Sequence, residues 1–186
     1  MENSCIFVPK SRIMNKVGIF YGPVGGSTEH VAKKIGKELG EENVEFIPVS
    51  NAKATDVDRF QNVIFGCSTI GSSTWNSNDV KKDWDLFRAE LKKVKVEGKT
   101  FAIFGLGDHL TYPFHFVDAM GEVAAVLLEN KANIDGRCSV KEYEFKESAA
   151  VVDGEFIGLP IDEDFEAELT EPRIKNWVIR LKNKFA

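Results

Sequence analysis

The segment YGPVGGSTEHVAKK, residues 21–34, follows the apolar run VGIF directly and carries the residue types that bind anions. At a strand-to-helix junction the first helical N–H groups have no intrahelical partner, and the positive end of the helix dipole lies behind them. Gly25 and Gly26 let the backbone curl around an anion, and Ser27 and Thr28 add hydroxyl donors. A Walker-type loop needs Gly-Lys followed by Ser or Thr, and a dinucleotide loop needs GxGxxG; neither occurs here. The pattern therefore predicts a monophosphate held by backbone and hydroxyl dipoles without a lysine. A tight turn that uses its glycines for geometry alone is the alternative reading.

Such a turn works only if a strand and a helix hold it, and apolar periodicity supplies both. Short runs rich in Val, Ile and Phe predict strands at 16–21, 44–49, 62–67 and 100–107, with weaker ones at ANID and at EFIGLPI (155–161). Between them Val31, Ile35 and Leu39 share one helical face, and Val80, Trp84, Phe87 and Leu91 share another. A third helix is expected over 116–130. The last places Ile174, Trp177, Val178, Leu181 and Phe185 on one side, with Thr170 as cap and Pro172 in the first turn. Apolar strands alternating with amphipathic helices imply an α/β fold, a three-layer, doubly wound sheet of five parallel strands. The stretch 136–154 is too polar to continue that sheet. Ligands of such sheets bind beyond the carboxyl ends of the strands, which selects the loops 22–28, 68–79 and 106–116.

Composition limits the choices further. A chain of 186 residues, 43% hydrophobic, suits one domain with one core. A net charge of −5 opposes binding to nucleic acid or anionic membranes, so neither is expected as a partner. Cys5, Cys67 and Cys138 form no CxxC pair and are odd in number, which suggests a reducing cytoplasm and no metal site. Cys67 is expected to be a small buried hydrophobe. Met14 stands just ahead of the first strand, so residues 1–14 read as an N-terminal extension, native or not, and 15–186 as the domain.

Several segments together resemble the flavodoxin family, of the long-chain type. They are GIFYG…GGSTEHVA, VIFGCST, VKKDWDLF, FAIFGLGDHLTYPFHFVDAMG and the stretch from VKEYEF through IDED to LTEPRIKNWV, so the likeness runs from about residue 15 to the end. The resemblance implies strand order 2-1-3-4-5, a last strand split by an insertion, one noncovalent FMN, and electron transfer in place of catalysis. It also implies a monomer whose partners are redox proteins, such as an NAD(P)H-dependent flavodoxin reductase or a pyruvate oxidoreductase.

Carried over by position, the phosphate loop falls on Pro23, Val24, Gly25, Gly26, Ser27 and Thr28. Pro23 and Gly25 stand where hydroxyl residues are usual, which removes two side-chain donors and one N–H and predicts weakened FMN binding. The second loop, Ser68, Thr69, Ile70, Gly71 and onward, is longer than usual. Ile70 aligns with the residue that stacks on the flavin, Trp75 is displaced into the extension, and Gly71 falls where a peptide turns toward flavin N5. In the third loop Leu106, Gly107 and Asp108 match the backbone at the pyrimidine edge, and Tyr112 matches the outer stacking aromatic. His115 replaces an Asn, Phe116 follows it, and Asp164 matches an acidic residue near the cofactor. Residues 141–171 carry a local charge of −9, leaving +4 elsewhere, which suits attraction of a basic redox partner. The loop departures leave one alternative, a flavodoxin-fold binding or regulatory module with weak FMN affinity or none.

Overall fold

The computed structural model describes residues 15–69 and 77–185, and no side chain is described for 77–83. The extension 1–14, the loop residues Ile70, Gly71 and Trp75, and the side chain of Val80 lie outside the described residues.

The chain alternates β1 (Val17–Tyr21), α1 (Ser27–Leu39), β2 (Val44–Pro48), β3 (Asn62–Ser68), α2 (Ser77–Leu91), β4 (Thr100–Leu106) and α3 (Asp118–Glu129). There follow β5 (Asn133–Ile134), β6 (Cys138–Ser139), β7 (Val151–Val152), β8 (Glu155–Phe156), β9 (Leu159–Ile161) and α4 (Ala167–Lys182). The main sheet is parallel in the order β2-β1-β3-β4-β5, and β9 also pairs with β4. Residues 17–21 of β1 and 63–67 of β3 are all buried, as strands covered on both faces must be. Helix α1 packs against α4, and α2 against α3, one pair on each face.

The predicted stripes are the buried faces: Val31, Ile35 and Leu39 of α1, and Ile174, Trp177, Val178 and Leu181 of α4. From α2, Trp84 and Phe87 join Phe20, Phe65 and Phe101 in an aromatic cluster with ring centroids about 6 Å apart.

Three boundaries differ from the sequence reading. The run 155–161 is two strands. Glu155–Phe156 belongs to a separate antiparallel sheet, β6-β8-β7, and only Leu159–Ile161 enters the main sheet. The break comes at Gly158, whose backbone passes so close to β4 that an added Cβ would lie 2.1 Å from the Ile103 carbonyl oxygen. The last helix starts at Ala167, so Thr170 is buried inside it, hydrogen-bonded to the Glu163 carboxylate, and Pro172 falls in the second turn. Glu166 and Glu168 favour the earlier start by facing the positive end of the helix dipole. The third helix begins at Asp118, because Val117 has left-handed backbone angles (φ 51°) that break the turn before it.

Candidate site at the carboxyl edge of the sheet

Strand register collects four loops on one edge. Tyr21 lies opposite Gly66 and Pro48, Ser68 opposite Leu106, and Leu106 opposite Ile161. The segments after β1, β3, β4 and β9 therefore emerge side by side, next to the point where the strand order reverses around β1.

The first loop is anchored at its base and open at its tip. Gly22 N–H donates to Gly66 O (3.0 Å), and the indole N–H of buried Trp84 donates to Gly22 O (3.2 Å). Val24, Gly25, Gly26 and Ser27 are exposed, while Pro23 is half-buried and Thr28 buried. Gly25 has φ +80°, and a Cβ added at Gly25 or Gly26 would meet nothing within 4 Å, so the glycines leave a cradle that side chains would fill. Gly26 caps α1 with no side-chain bond, and among the described residues the amides of Gly26, Ser27 and Thr28 have no acceptor. Those amides point outward from a helix start, the geometry an anion requires.

Glu29 also shapes this loop and escaped the sequence reading. Its carboxylate accepts the Gly25 N–H (2.8 Å) and pairs with Lys33 (2.7 Å). Lys33, and then the Gly25 amide, hold the Glu29 carboxyl below the usual range. The signal was present as an i,i+4 Glu–Lys pair in the first turns of the helix.

The loop after β4 is folded by its own polar groups. Gly107 N–H donates to Ile161 O (3.1 Å), and a Cβ at Gly107 would lie 2.8 Å from the Val117 nitrogen. The Asp108 carboxylate accepts the amides of Leu110 (3.0 Å) and Thr111 (2.6 Å), so it is committed to this turn. Tyr112 is partly exposed, near exposed Leu110 and Phe114 in the same loop. His115 Nδ1 meets the Asp118 carboxylate at 2.9 Å, and its side chain is otherwise largely exposed.

One expected contact changes character. The Phe116 ring is fully buried against Tyr143, Phe145 and Phe156, which removes it from the surface a ligand reaches and makes it a support beneath the loop. The Leu106 side chain is likewise in the core, and its carbonyl accepts the Thr69 N–H (2.9 Å). The Thr69 hydroxyl accepts the Ala119 N–H (3.0 Å) and so ties the loop after β3 to the start of α3; Ser68 ends β3 half-buried.

Asp162, immediately after β9, is the other residue that the sequence reading missed. It is wholly buried and accepts the amides of His109 (3.0 Å), Asp164 (2.8 Å) and Phe165 (2.9 Å), and it pairs with His109 Nδ1 at 2.5 Å. Burial pushes its carboxyl up, but these donors outweigh burial and hold it below the ordinary range. Asp164, exposed beside it, is pushed up by partial burial and then by the charges of Asp162, Asp108 and Glu163. The fold thus brings Asp164 within electrostatic reach of Asp108. The triple acid of IDED was the available signal, yet which of the three is buried depends on the turn after β9.

Burial raises the Cys67 thiol far above its ordinary value, which suits a packing role. Among the described residues no group of His, Cys, Asp and Glu could hold a metal, and no helix is long and apolar enough to cross a membrane. What the edge offers is an open amide nest at one loop and an aromatic, acid-flanked loop two strands away.

The chain and its fold are similar to known proteins. The profile of the flavodoxin family matches residues 19–177. A flavodoxin of Trichodesmium erythraeum is 40% identical over 174 residues, 92% of this chain and 99% of its own. One from Buchnera aphidicola is 41% identical over 166 residues, 89% of this chain and 94% of its own. Among solved structures, a Fusobacterium nucleatum flavodoxin bound to flavin mononucleotide superposes with a TM-score of 0.83 at 23% identity, covering 93% of this chain and all of that one. The matched profile spans all four loops and the end of the sheet that carries them, and the curated relatives align almost end to end: the chain belongs to the flavodoxin family.

Proposed function

We propose that the chain is an electron carrier that holds one FMN noncovalently at the carboxyl edge of its sheet. The observation that carries this reading is the open, lysine-free amide nest at 24–28, on the same edge as the Tyr112 loop. The nest fits a terminal phosphate: its amides are directed outward, and the space above Gly25 and Gly26 is empty. FMN, when bound, supplies one- and two-electron redox chemistry.

The protein's own residues bind, orient and tune. Amides of Gly26, Ser27 and Thr28 with the Ser27 hydroxyl receive the phosphate. Backbone of Gly107 and Asp108 meets the pyrimidine edge, and Tyr112 covers the outer face of the ring. Asp108, Asp162, Glu163 and Asp164 concentrate negative charge beside that loop, which opposes addition of a second electron and lowers the potential at which it is accepted. Leu110, Phe114 and Phe165 expose apolar surface next to these acids. That combination suits a partner with an apolar centre and a basic rim, such as an NAD(P)H-dependent flavodoxin reductase or a pyruvate oxidoreductase, met by a monomer in the cytoplasm.

Titration with FMN and with riboflavin tests the reading. Riboflavin lacks the phosphate and is expected to bind far more weakly, with inorganic phosphate competing against FMN. Pro23→Thr, which restores an N–H and a hydroxyl, is expected to tighten FMN and leave riboflavin nearly unchanged. Equal affinities for FMN and riboflavin would remove the phosphate site.

A further inference from the structure

The loop that carries Tyr112 contains a backbone conformation that its own sequence does not favour. Val117 is β-branched, fully buried and left-handed, with φ 51° and ψ 30°. A β-branched residue adopts these angles only where its surroundings impose them. Val117 itself packs against Gly105 and Gly107, and the residues on either side of it are held by the segment between β5 and β9.

That segment grips the loop at successive points. The amides of Lys146 and Glu147 both donate to the Pro113 carbonyl (2.8 and 3.0 Å). The Ser148 hydroxyl donates to the Phe116 carbonyl (2.5 Å), the residue just before the strained one. The Ala149 amide donates to Asp118 Oδ1 (2.8 Å), while Asp118 Oδ2 takes His115 Nδ1 (2.9 Å). Tyr143, Phe145 and Phe156 enclose the Phe116 ring from the same side. The approach is backbone to backbone, since a Cβ on Gly121 of α3 would lie 2.2 Å from the Ala149 oxygen. By contrast, Leu110 and Phe114 are more than half exposed and gain little support from the core.

We infer that the segment 143–150 is a buttress for the Tyr112 loop, with Asp118 and Ser148 as positioning residues that act on the flavin only through that loop. The inference rests on the flavin reading of the loop. Asp118 is the junction, because one carboxylate ties the loop, through His115, to the buttress, through Ala149. Ser148 fixes the peptide that feeds into the left-handed turn.

Hydrogen exchange on the apoprotein and flavin titration on the same variants test it. In Asp118→Ala the protected amides of Tyr112 and His115 are expected to exchange about tenfold faster, as loss of hydrogen bonds predicts. FMN and riboflavin affinities should fall together, because the ring platform and not the phosphate nest is disturbed. Asp118→Asn should restore both, since its amide oxygen accepts the Ala149 N–H and its NH2 donates to His115. Ser148→Ala, a smaller change, should reproduce the exchange effect in part. Wild-type exchange at Tyr112 and His115 in both Asp118→Ala and Ser148→Ala would overturn the buttress, as would an Asp118→Asn as defective as the alanine variant. Faster exchange with unchanged flavin affinity would overturn the positioning role. If Tyr112→Ala also left affinity unchanged, the failure would lie in assigning this loop to the flavin.

Discussion

Two neighbouring aspartates in the turn after β9 do opposite things. Asp162 is surrounded by donors and keeps its charge, so its carboxyl lies below the ordinary 3.8. A depressed carboxyl stabilises the fold above the unfolded value and loses that contribution as pH falls through the lower folded one. Asp162→Asn is expected to cost about 1–3 kcal/mol at neutral pH, because buried amides and His109 lose a full acceptor, and to flatten the acid limb of stability measured by urea unfolding. Asp164 has its carboxyl raised above 3.8, first by burial and then by neighbouring acids. Its charge therefore opposes folding once the carboxyl ionises. Asp164→Asn should raise the urea midpoint at pH 7, with no gain at pH 3 where the native carboxyl is itself protonated. Tyr112→Ala belongs to the same scale: losing a stacked ring should weaken FMN by about 1–3 kcal/mol and relieve quenching of bound-flavin fluorescence. Wild-type affinity and quenching in that variant would exclude Tyr112 from the site.

At the level of elements, glycines separate packing from binding. Gly158 lies against β4, where a Cβ would meet the Ile103 oxygen at 2.1 Å and the Met120 sulfur at 2.9 Å. Gly26 has open space in the same direction and an extended backbone that valine accepts. Gly158→Ala should therefore destabilise the apoprotein by about 1–3 kcal/mol as overpacking does. Gly26→Val should cost the apoprotein only about 1 kcal/mol as a poorer helix cap and instead remove most of the FMN affinity by filling the cradle. Thermal melts and flavin titrations of both variants check the pair. A Gly26→Val protein that binds FMN normally would move the phosphate away from this loop. The segment between β5 and β9 follows the same division, since its strands pair with one another outside the main sheet while Lys146, Glu147, Ser148 and Ala149 direct hydrogen bonds to the loop before α3.

For the whole molecule, charge is segregated while the net value is mild. Residues 141–171 carry −9 against a total of −5, the acids of the β9 turn lie beside the Tyr112 loop, and further acids follow at the start of α4. Such a face accelerates encounter with a basic partner more than it strengthens the docked complex. Replacing Glu163, Glu166 and Glu168 with Gln should slow association with a basic reductase and reduce its salt dependence, with little change in dissociation. Glu166 also pairs with Arg173, so the stability of the triple variant must be measured alongside. Stopped-flow rates that do not respond to ionic strength would show the acidic face to be a solubility feature only.

Unbroken apolar runs and apolar residues at every third or fourth position are local properties, so the sequence by itself determined the layered parallel sheet, the positions of its first four strands and the buried faces of its helices. The amide nest was equally legible, since a strand, a glycine pair and a helix start are contiguous in the chain. Trp84 was legible as core but not as the donor that pins Gly22, which is far away in sequence. The break at Gly158, the turn at Val117 and the burial of Asp162 were not legible either. Each is set by a residue distant in the chain: the Ile103 carbonyl for Gly158, Ser148 and Ala149 for the turn, and His109 for Asp162. Local periodicity would place Val117 inside the third helix and leave 155–161 as one strand. Close approach of backbones and the pairing of buried polar groups, which exist only once the layers have packed, decided otherwise.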